Sequence, residues 1–401
     1  MQRTDWAEDF VEIFSSRPLT AECIFHSPKY IDRGLEKEVC DLLIILRGKA
    51  ILISMKAQED PFSKNSDKLK QWTTKNAMNA FNQAKGALKT IATKSYWCHH
   101  SRRGKVEFKP GEIQVTNVIV LTELFNEVVE LCANSPMQLD NIPVTYLSLN
   151  DFLNLIKELR TFPDISAYFV ARRKLPMQFL LMIGNEVSRY QFYIQNFESF
   201  NDWNIKTVVV NPDIVQNSKW QVIQNSRLIK QKNANLIEYV SDALATRNEN
   251  FSDGLESHII GRFDKSNDRR NYLLMQEELC DLGFNERAAL GEQFNKVIDK
   301  VKCDNSLESM IYASFYTDSK PDFVYVLISA RGVDRNNLIN RSLTLLHSAM
   351  LTYKKCKGLV IADRDGEGFE VELLTCKIPP SAIGEFNTSY FDHLKVSDIP
   401  V

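Results

Sequence analysis

Glu38 and Asp41 stand just ahead of the apolar run Leu42-Leu-Ile-Ile-Leu46, and after the turn Arg47-Gly48-Lys49 a second run, Ala50-Ile-Leu-Ile-Ser54-Met-Lys56, ends in a lysine. Two apolar runs of strand length around a Gly-containing turn predict a buried β-hairpin with polar residues only at its ends. Antiparallel pairing then brings Asp41, which opens the first strand, and Lys56, which closes the second, to the same edge. A carboxylate to hold a divalent cation and a lysine for the attacking water are the groups that metal-assisted phosphodiester cleavage requires. Glu36 is a runner-up for the second acid: in an extended segment it shares a face with Glu38, and in a helical turn the two diverge.

The elements that must position these groups lie on either side. Trp6, Phe10, Ile13 and Phe14 recur at helical spacing and predict an amphipathic helix over 5–14, and Ala21 to Phe25 fits a short strand before the Ser27-Pro28 bend. Tyr30 to Lys37 reads as a polar connector that delivers Glu38 next to Asp41. After Lys56, the residues Gln58, Glu59, Asp60 and Pro61 read as a loop at the mouth of the site. Ser66 to Thr93 then reads as one long helix, with Trp72, Ala80, Ala84, Ala87, Leu88 and Ile91 along one stripe and Lys75, Asn79, Asn82 and Lys89 around the other side. Gln83 flanks the apolar stripe, where it either points toward the strand ends or borders the core.

Charge is concentrated in the same region. Between Lys64 and Lys105 there are ten Lys or Arg against the single acid Asp67, about +9 inside a chain whose net charge is -2. Lys64, Lys68, Lys70, Lys75, Lys85, Lys89, Arg102 and Arg103 are the candidate phosphate contacts of such a stripe. His99 and His100 sit in a predicted basic loop with no third metal ligand at a recognisable spacing.

A carboxylate, a hairpin and a short motif ending in lysine resemble the PD-(D/E)XK nuclease superfamily, the fold of many restriction and repair endonucleases. The fuller pattern is Phe25-His-Ser-Pro28, Gly34, Glu38, Asp41-Leu-Leu, Ser54-Met-Lys56 and the helical Gln83, and it is similar to a bacterial branch of that superfamily over roughly the first half of the chain. The resemblance implies a restriction-endonuclease-like αβββαβ core. It makes Asp41 the metal-binding carboxylate, Glu38 the upstream acid and Lys56 the residue that activates or orients water, with Gln83 helping to hold water or phosphate. It further implies Mg2+ as cofactor with Mn2+ as a substitute, DNA as substrate, and products carrying a 5′ phosphate. One position departs: where the family has Asp or Glu two residues before the lysine, this chain has Ser54, a poor ligand for a hard cation. Either Glu38 or Glu59 supplies the missing charge, or the site has lost activity.

At 401 residues the chain is long enough for two domains, and 44% hydrophobic with 25% charged residues is an ordinary globular composition. We expect a nuclease-like domain over 1–200 and a second α+β domain over 201–401 for regulation, target or partner binding, the boundary lying between about 195 and 265. Strands Val115–Leu121 and Pro143–Leu147 and helices Leu124–Leu131, Asn150–Leu159 and Pro163–Lys174 extend the first sheet. Arg172-Arg173-Lys174 forms a second basic cluster, along a duplex or at its own helix end. A strand at Thr207–Val210 and a loop over 248–268 precede the helices Tyr272–Leu282 and Glu286–Val301. A hairpin over Met310–Tyr316 and Phe323–Ser329, a helix Asn336–Lys355 and strands Leu359–Ala362 and Phe369–Leu374 follow. That order of hairpin, helix and strand echoes the first domain. Phe323 to Ala330 reads like Ala50 to Ala57 with the lysine missing, as either a degenerate copy or an independent α+β arrangement.

Several classes are excluded or disfavoured. No run of eighteen or more apolar residues is present, which argues against a membrane span, and three acids in the first ten residues argue against a secretory signal, so a cytoplasmic protein is expected. The eight cysteines show no CxxC pair and read as buried reduced thiols. Without a Walker sequence, GxGxxG, GxSxG or HExxH, nucleotide hydrolysis and serine or zinc peptidase chemistry have no support. The leading expectation is therefore an endonuclease acting on DNA in a bacterial restriction or anti-phage system, with a protein partner subunit or homo-oligomer in view. The competing one is an inactive nuclease fold kept to bind nucleic acid or scaffold a complex.

Overall fold

The computed structural model describes residues 18–56, 66–100, 103–122, 134–173, 186–195, 218–252, 265–304, 306, 308–317, 320–365 and 368–375. The expected helix over 5–14, the helix Leu124–Leu131 and the strand Thr207–Val210 lie outside these residues, as do Gln58, Glu59 and Asp60. The fold is mixed α/β of the α+β kind. The chain divides into two compact units, Met1–Ser226 and Arg227–Val401.

In the first unit a short helix α1 (Pro18–Ala21) leads to β1 (Ile24–His26) and then to a hairpin of β2 (Lys29–Asp32) and β3 (Leu35–Glu38). The predicted hairpin follows as β4 (Leu42–Leu46) and β5 (Lys49–Lys56), closed by Arg47 and Gly48, both at positive φ (50° and 73°). Two consecutive left-handed residues are what a two-residue hairpin turn needs, and glycine takes the second at little cost. Helix α2 (Ser66–Thr93) has the predicted limits. Its buried face is Thr73, Ala77, Ala80, Phe81, Ala84, Ala87, Thr90 and Ile91, while Trp72 is only half-buried. The alanines let the helix backbone approach the sheet closely.

The chain continues through β6 (Tyr96–His100), β7 (Gly104–Phe108), β8 (Gln114–Thr122), β9 (Gln138–Leu139) and β10 (Ile142–Ser148). The main sheet has the order β1-β4-β5-β8-β10-β9. Strand β4 is antiparallel to β1 and β5, whereas β8 is parallel to β5 and β10 is parallel to β8. Ala50 and Leu52 of β5, Leu43 and Ile45 of β4 and Val118 and Val120 of β8 form one core with the α2 alanines. A second sheet, β3-β2-β6-β7, adds Tyr96, Cys98 and Phe108 to that core. Two segments read from sequence as connectors are thus hairpins. Residues 29–38 form β2–β3, exposed over all of β3, and the His99-His100 stretch lies in β6, where His100 is buried with its Nε2 3.0 Å from the Ala21 carbonyl.

Three helices complete the described part of this unit: α3 (Leu149–Glu158), capped by the Ser148 hydroxyl accepting from Asp151 N–H, α4 (Phe162–Arg173) and α5 (Glu186–Gln195). Helix α6 (Ser218–Ser252) then carries the chain across the division, through residues 248–252 that sequence reasoning placed in a loop.

The second unit continues with α7 (Lys265–Cys280) and α8 (Phe284–Cys303), joined at Gly283 as predicted. Helices α6 and α8 cross so closely that a Cβ on Gly291 would collide with the Asn233 carbonyl. Strands β11 (Met310–Tyr316) and β12 (Phe323–Arg331), helix α9 (Arg335–Thr352) and strands β13 (Lys357–Asp363) and β14 (Phe369–Thr375) follow in the predicted order. The sheet order is β11-β12-β13-β14, with β12 antiparallel to β11 and parallel to β13. An antiparallel pair, a crossover helix and a parallel strand therefore occur in both units. Strand alternation sets the detailed correspondence: Val326, Ile328 and Ala330 line the α9 core, so Ala330, not Ser329, stands on the face that Lys56 occupies in β5.

Candidate active site

The site is built at the open end of the β4–β5 hairpin. Leu42 pairs with Ile53, so the next rung outward sets Asp41 opposite Ser54 on the α2 side of the sheet. The Met55 backbone N–H donates to Asp41 Oδ2 at 2.6 Å, which fixes the carboxylate one residue from Lys56. The Asp41 carbonyl accepts from Ser27 N–H at 2.9 Å. Lys56 closes β5 beside the buried Thr122 of β8 and is itself half-exposed. It has no carboxylate within 4.0 Å among the described residues, so it is not consumed by an ion pair with Asp41.

Glu38 reaches the same place from the second sheet. It ends β3, opposite Lys29 of β2, and the residue as a whole is exposed. Its carboxyl is nonetheless raised above the ordinary glutamate range, first by partial burial and then by the nearby charge of Asp41; a hydrogen bond from the Ser27 side chain and the charges of His26 and Lys56 act the other way. Glu38, Asp41, Lys56, Ser27 and His26 therefore form one electrostatic cluster drawn from β1, β3, β5 and the residues that follow β1 and precede β4. A carboxyl whose proton affinity is raised by a neighbouring carboxylate is suited to share a cation with it.

The family resemblance implies Mg2+, and the donor set fits it. Among the described residues there is no group of three or more His, Cys, Asp or Glu side chains that could hold a metal. Mg2+ commonly uses one or two carboxylates and takes its remaining ligands from water and substrate phosphate, so Glu38 and Asp41 suffice for that mode. Ser54, opposite Asp41, is 2% exposed and neutral. Glu36 does share a face with Glu38, in strand β3, but Lys29 Nζ holds it at 3.2 Å.

Ser27 is the residue that sequence reasoning passed over. Its φ of 45° is left-handed, which costs a non-glycine residue energy and is met where surrounding contacts over-determine the backbone. Here those contacts run from its N–H to the Asp41 backbone carbonyl and from its side chain to the Glu38 carboxyl. The signal was present in Phe25-His-Ser-Pro28, but a Ser-Pro pair reads first as a bend. His26, exposed at the end of β1, has its Nε2 3.4 Å from Ser27 Oγ.

The remaining expected residues are dispersed. Gln83 is exposed on α2 beside the buried Ala80 and Ala84. Lys68, Lys70, Lys75, Lys85 and Lys89 are exposed on α2. Lys64 and Arg102 lie outside the described residues. Arg103 is engaged within the fold: it lies over the Phe25 ring, 5.4 Å from its centroid, and donates to the Glu22 carbonyl at 3.3 Å. In the second basic cluster Arg173 is exposed and Lys174 lies outside the described residues, but Arg172 is engaged within the fold. Arg172 is 3% exposed and makes a two-point ion pair with the fully buried Glu186, which also accepts from Arg189 and from Tyr168.

No helix among the described residues is long and apolar enough to cross a membrane. Set against family models, curated proteins and solved structures, the chain matches nothing in any of the three comparisons.

Proposed function

We propose that this chain is a metal-dependent endonuclease of PD-(D/E)XK type that hydrolyses DNA phosphodiester bonds, acting in the cytoplasm of a bacterial cell as part of a restriction or anti-phage system. The observation that carries the reading is the hydrogen bond from Met55 N–H to Asp41, because it ties the acid to the strand end that presents Lys56. The strand order supports it as well: β1, β4 and β5 antiparallel, then α2, then β8 parallel to β5, is the βββαβ part of the expected core. In this reading Glu38 and Asp41 hold Mg2+, and Lys56 orients the water at the end of β5. The ion, when bound, supplies Lewis-acid stabilisation of charge on the phosphate and the leaving oxygen. Water adds to phosphorus as the bond to the 3′ oxygen breaks, leaving a 5′ phosphate and a 3′ hydroxyl. The experiment is cleavage of supercoiled plasmid with Mg2+ or Mn2+ by wild type, Lys56→Ala and Asp41→Ala. Loss of cutting in both variants is the expected result, and identical behaviour of all three overturns the proposal.

A second reading is favoured by Ser54, neutral and buried where an acid belongs. It makes the chain a nuclease fold that binds nucleic acid, or scaffolds a complex, without cutting. Salt-dependent DNA binding by a wild type that leaves plasmid intact in every divalent cation selects it.

A further inference from the structure

The β2–β3 hairpin ends on Glu38, yet nothing in the proposed chemistry uses the rest of it. Its turn is Arg33-Gly34, with φ of 53° and 80°, a tight two-residue reversal. Ile31 and Leu35 flank that turn and are 52% and 67% exposed. Ile31 pairs with Glu36 and Leu35 pairs with Asp32, so the two apolar side chains stand on opposite faces of the ribbon. Isolated exposed hydrophobics are ordinary on protein surfaces. A pair placed on both faces of one tip is a different arrangement, because it leaves the tip apolar from either side.

The tip is also braced. Asp32 binds Lys37 at 2.6 Å and Lys94 at 2.9 Å, and Lys94 sits over the Tyr30 ring, 4.6 Å from its centroid. Tyr30 in turn packs on the main core. These two cations hold the Asp32 carboxyl down at about 2, so the brace persists at any pH the protein meets in a cell. On the hairpin and Lys94 beside it, Lys29, Arg33, Lys37 and Lys94 stand against Asp32, Glu36 and Glu38, which leaves one net positive charge, with Arg33 exposed at the turn to meet phosphate.

We infer that this hairpin is a wedge that enters duplex DNA, Ile31 and Leu35 partly unstacking a base step while Arg33 meets the backbone. The inference rests on the endonuclease reading and deepens it by specifying double-stranded DNA that is bent when bound. Apolar side chains inserted between base pairs kink a duplex by about 20–90°. Leu35 lies three residues from Glu38 along β3, about 10 Å of strand. The tip therefore enters within about 10 Å of the cation site proposed for Glu38 and Asp41.

The test uses a duplex of about 30 bp, a length over which a bend is measurable, with a donor and an acceptor dye at its ends and Ca2+ in place of Mg2+ to hold the complex uncut. Wild type is compared with Ile31→Ser/Leu35→Ser and with the apolar pair Ile31→Leu/Leu35→Met. Both sites are exposed, so all three should melt alike. The expected result is a shortened end-to-end distance with wild type and the apolar pair, and a straight bound duplex with the serine pair, which also cuts more slowly in Mg2+. Wild type that cuts without shortening the duplex, or a serine pair that bends it as wild type does, overturns the wedge and leaves the endonuclease standing. A serine pair that turns a dimer into a monomer in sedimentation, with DNA geometry unchanged, overturns it in favour of a second copy of the chain as the partner. Wild type that neither binds nor cuts duplex DNA overturns both readings.

Discussion

Asp41 Oδ2 accepts the Met55 backbone N–H at 2.6 Å, so the candidate cation ligand is also the bond that closes the last rung of the β4–β5 hairpin. Fold and chemistry can be separated at this position. Asp41→Asn keeps an acceptor for Met55 and should melt close to wild type while losing Mg2+-dependent cleavage. Asp41→Ala leaves the N–H without its charged partner and should cost a further ~1–3 kcal/mol in a denaturant titration. Equal stability of the two variants would remove the structural role of Asp41, and cleavage by Asp41→Asn would remove the catalytic one.

The paired acids predict a pH dependence of known sign. Glu38 has a carboxyl raised above its unfolded value by burial and by Asp41, so the folded state binds its proton more tightly than the unfolded state does. Without cation, stability should therefore fall as pH rises from the unfolded glutamate pKa through the raised folded one. Glu38→Gln should melt higher than wild type at pH 7 in EDTA, with the advantage vanishing in acid. Adding Mg2+ should raise the wild-type melting temperature and leave the glutamine variant unchanged. A wild type indifferent to both EDTA and Mg2+ in thermal-shift measurements would refute the shared-cation account.

How much of this could be read from the chain follows burial. The β4–β5 hairpin and α2 were legible because one side of each is driven into the core, and alternation or three-and-four spacing records that in the residue types. Strand β3, exposed at all four positions, leaves no such record, and only Arg33-Gly34 hinted at its turn. Helix α6 was missed for a related reason, since Val222, Leu228 and Ile229 stand exposed on it and blur any stripe. At the site, the approach of Asp41 to the Lys56 end of β5 was legible because hairpin register is a local property, whereas Glu38 arrives on β3 of the second sheet. Ser27 was not, because its role depends on a contact between separate strands. Arg172 was misread for want of Glu186, whose pairing is a tertiary event.

That buried pair gives the largest predicted stability effect. Burial alone would raise the Glu186 carboxyl, but Arg172 and Arg189, aided by the Tyr168 hydroxyl, outweigh it and hold it at about 2. The contribution should be intact above the unfolded glutamate pKa and lost as pH falls toward 2. Arg172→Ala strips most of the compensation from a buried charge and should cost about 3–5 kcal/mol. Arg173→Ala, one residue away, should cost little. Comparable losses in the two variants would contradict the assignment.

If α2 is the phosphate-binding surface, its lysines act through counterion release. Replacing Lys75, Lys85 and Lys89 by Gln should weaken DNA binding for every sequence alike and flatten the slope of log K against log salt by about 0.9 for each phosphate no longer neutralised. Because all three are exposed, folding should be unaffected. Arg103→Gln should leave the salt slope alone and lower stability instead, since its guanidinium packs on Phe25. An unchanged slope in the triple lysine variant would place the nucleic-acid surface elsewhere.

Ser54 decides between the two functional readings. It is buried opposite Asp41, at the position where the resembled family carries an acid. Ser54→Asp should therefore lower the melting temperature in EDTA, because a third carboxylate joins Glu38 and Asp41 with little solvent. The same charge should be relieved by a divalent cation, so Mn2+ or Mg2+ should restore stability in the variant by a larger margin than in wild type. If wild type is an active enzyme, cleavage should persist and saturate at lower cation concentration in the variant. If wild type is an inactive binding subunit that lacks only this ligand, cleavage should appear in the variant alone. A variant that gains nothing from cation in either stability or cleavage would show that Ser54 does not face the carboxylate pair, and the end of β5 would no longer belong to the site.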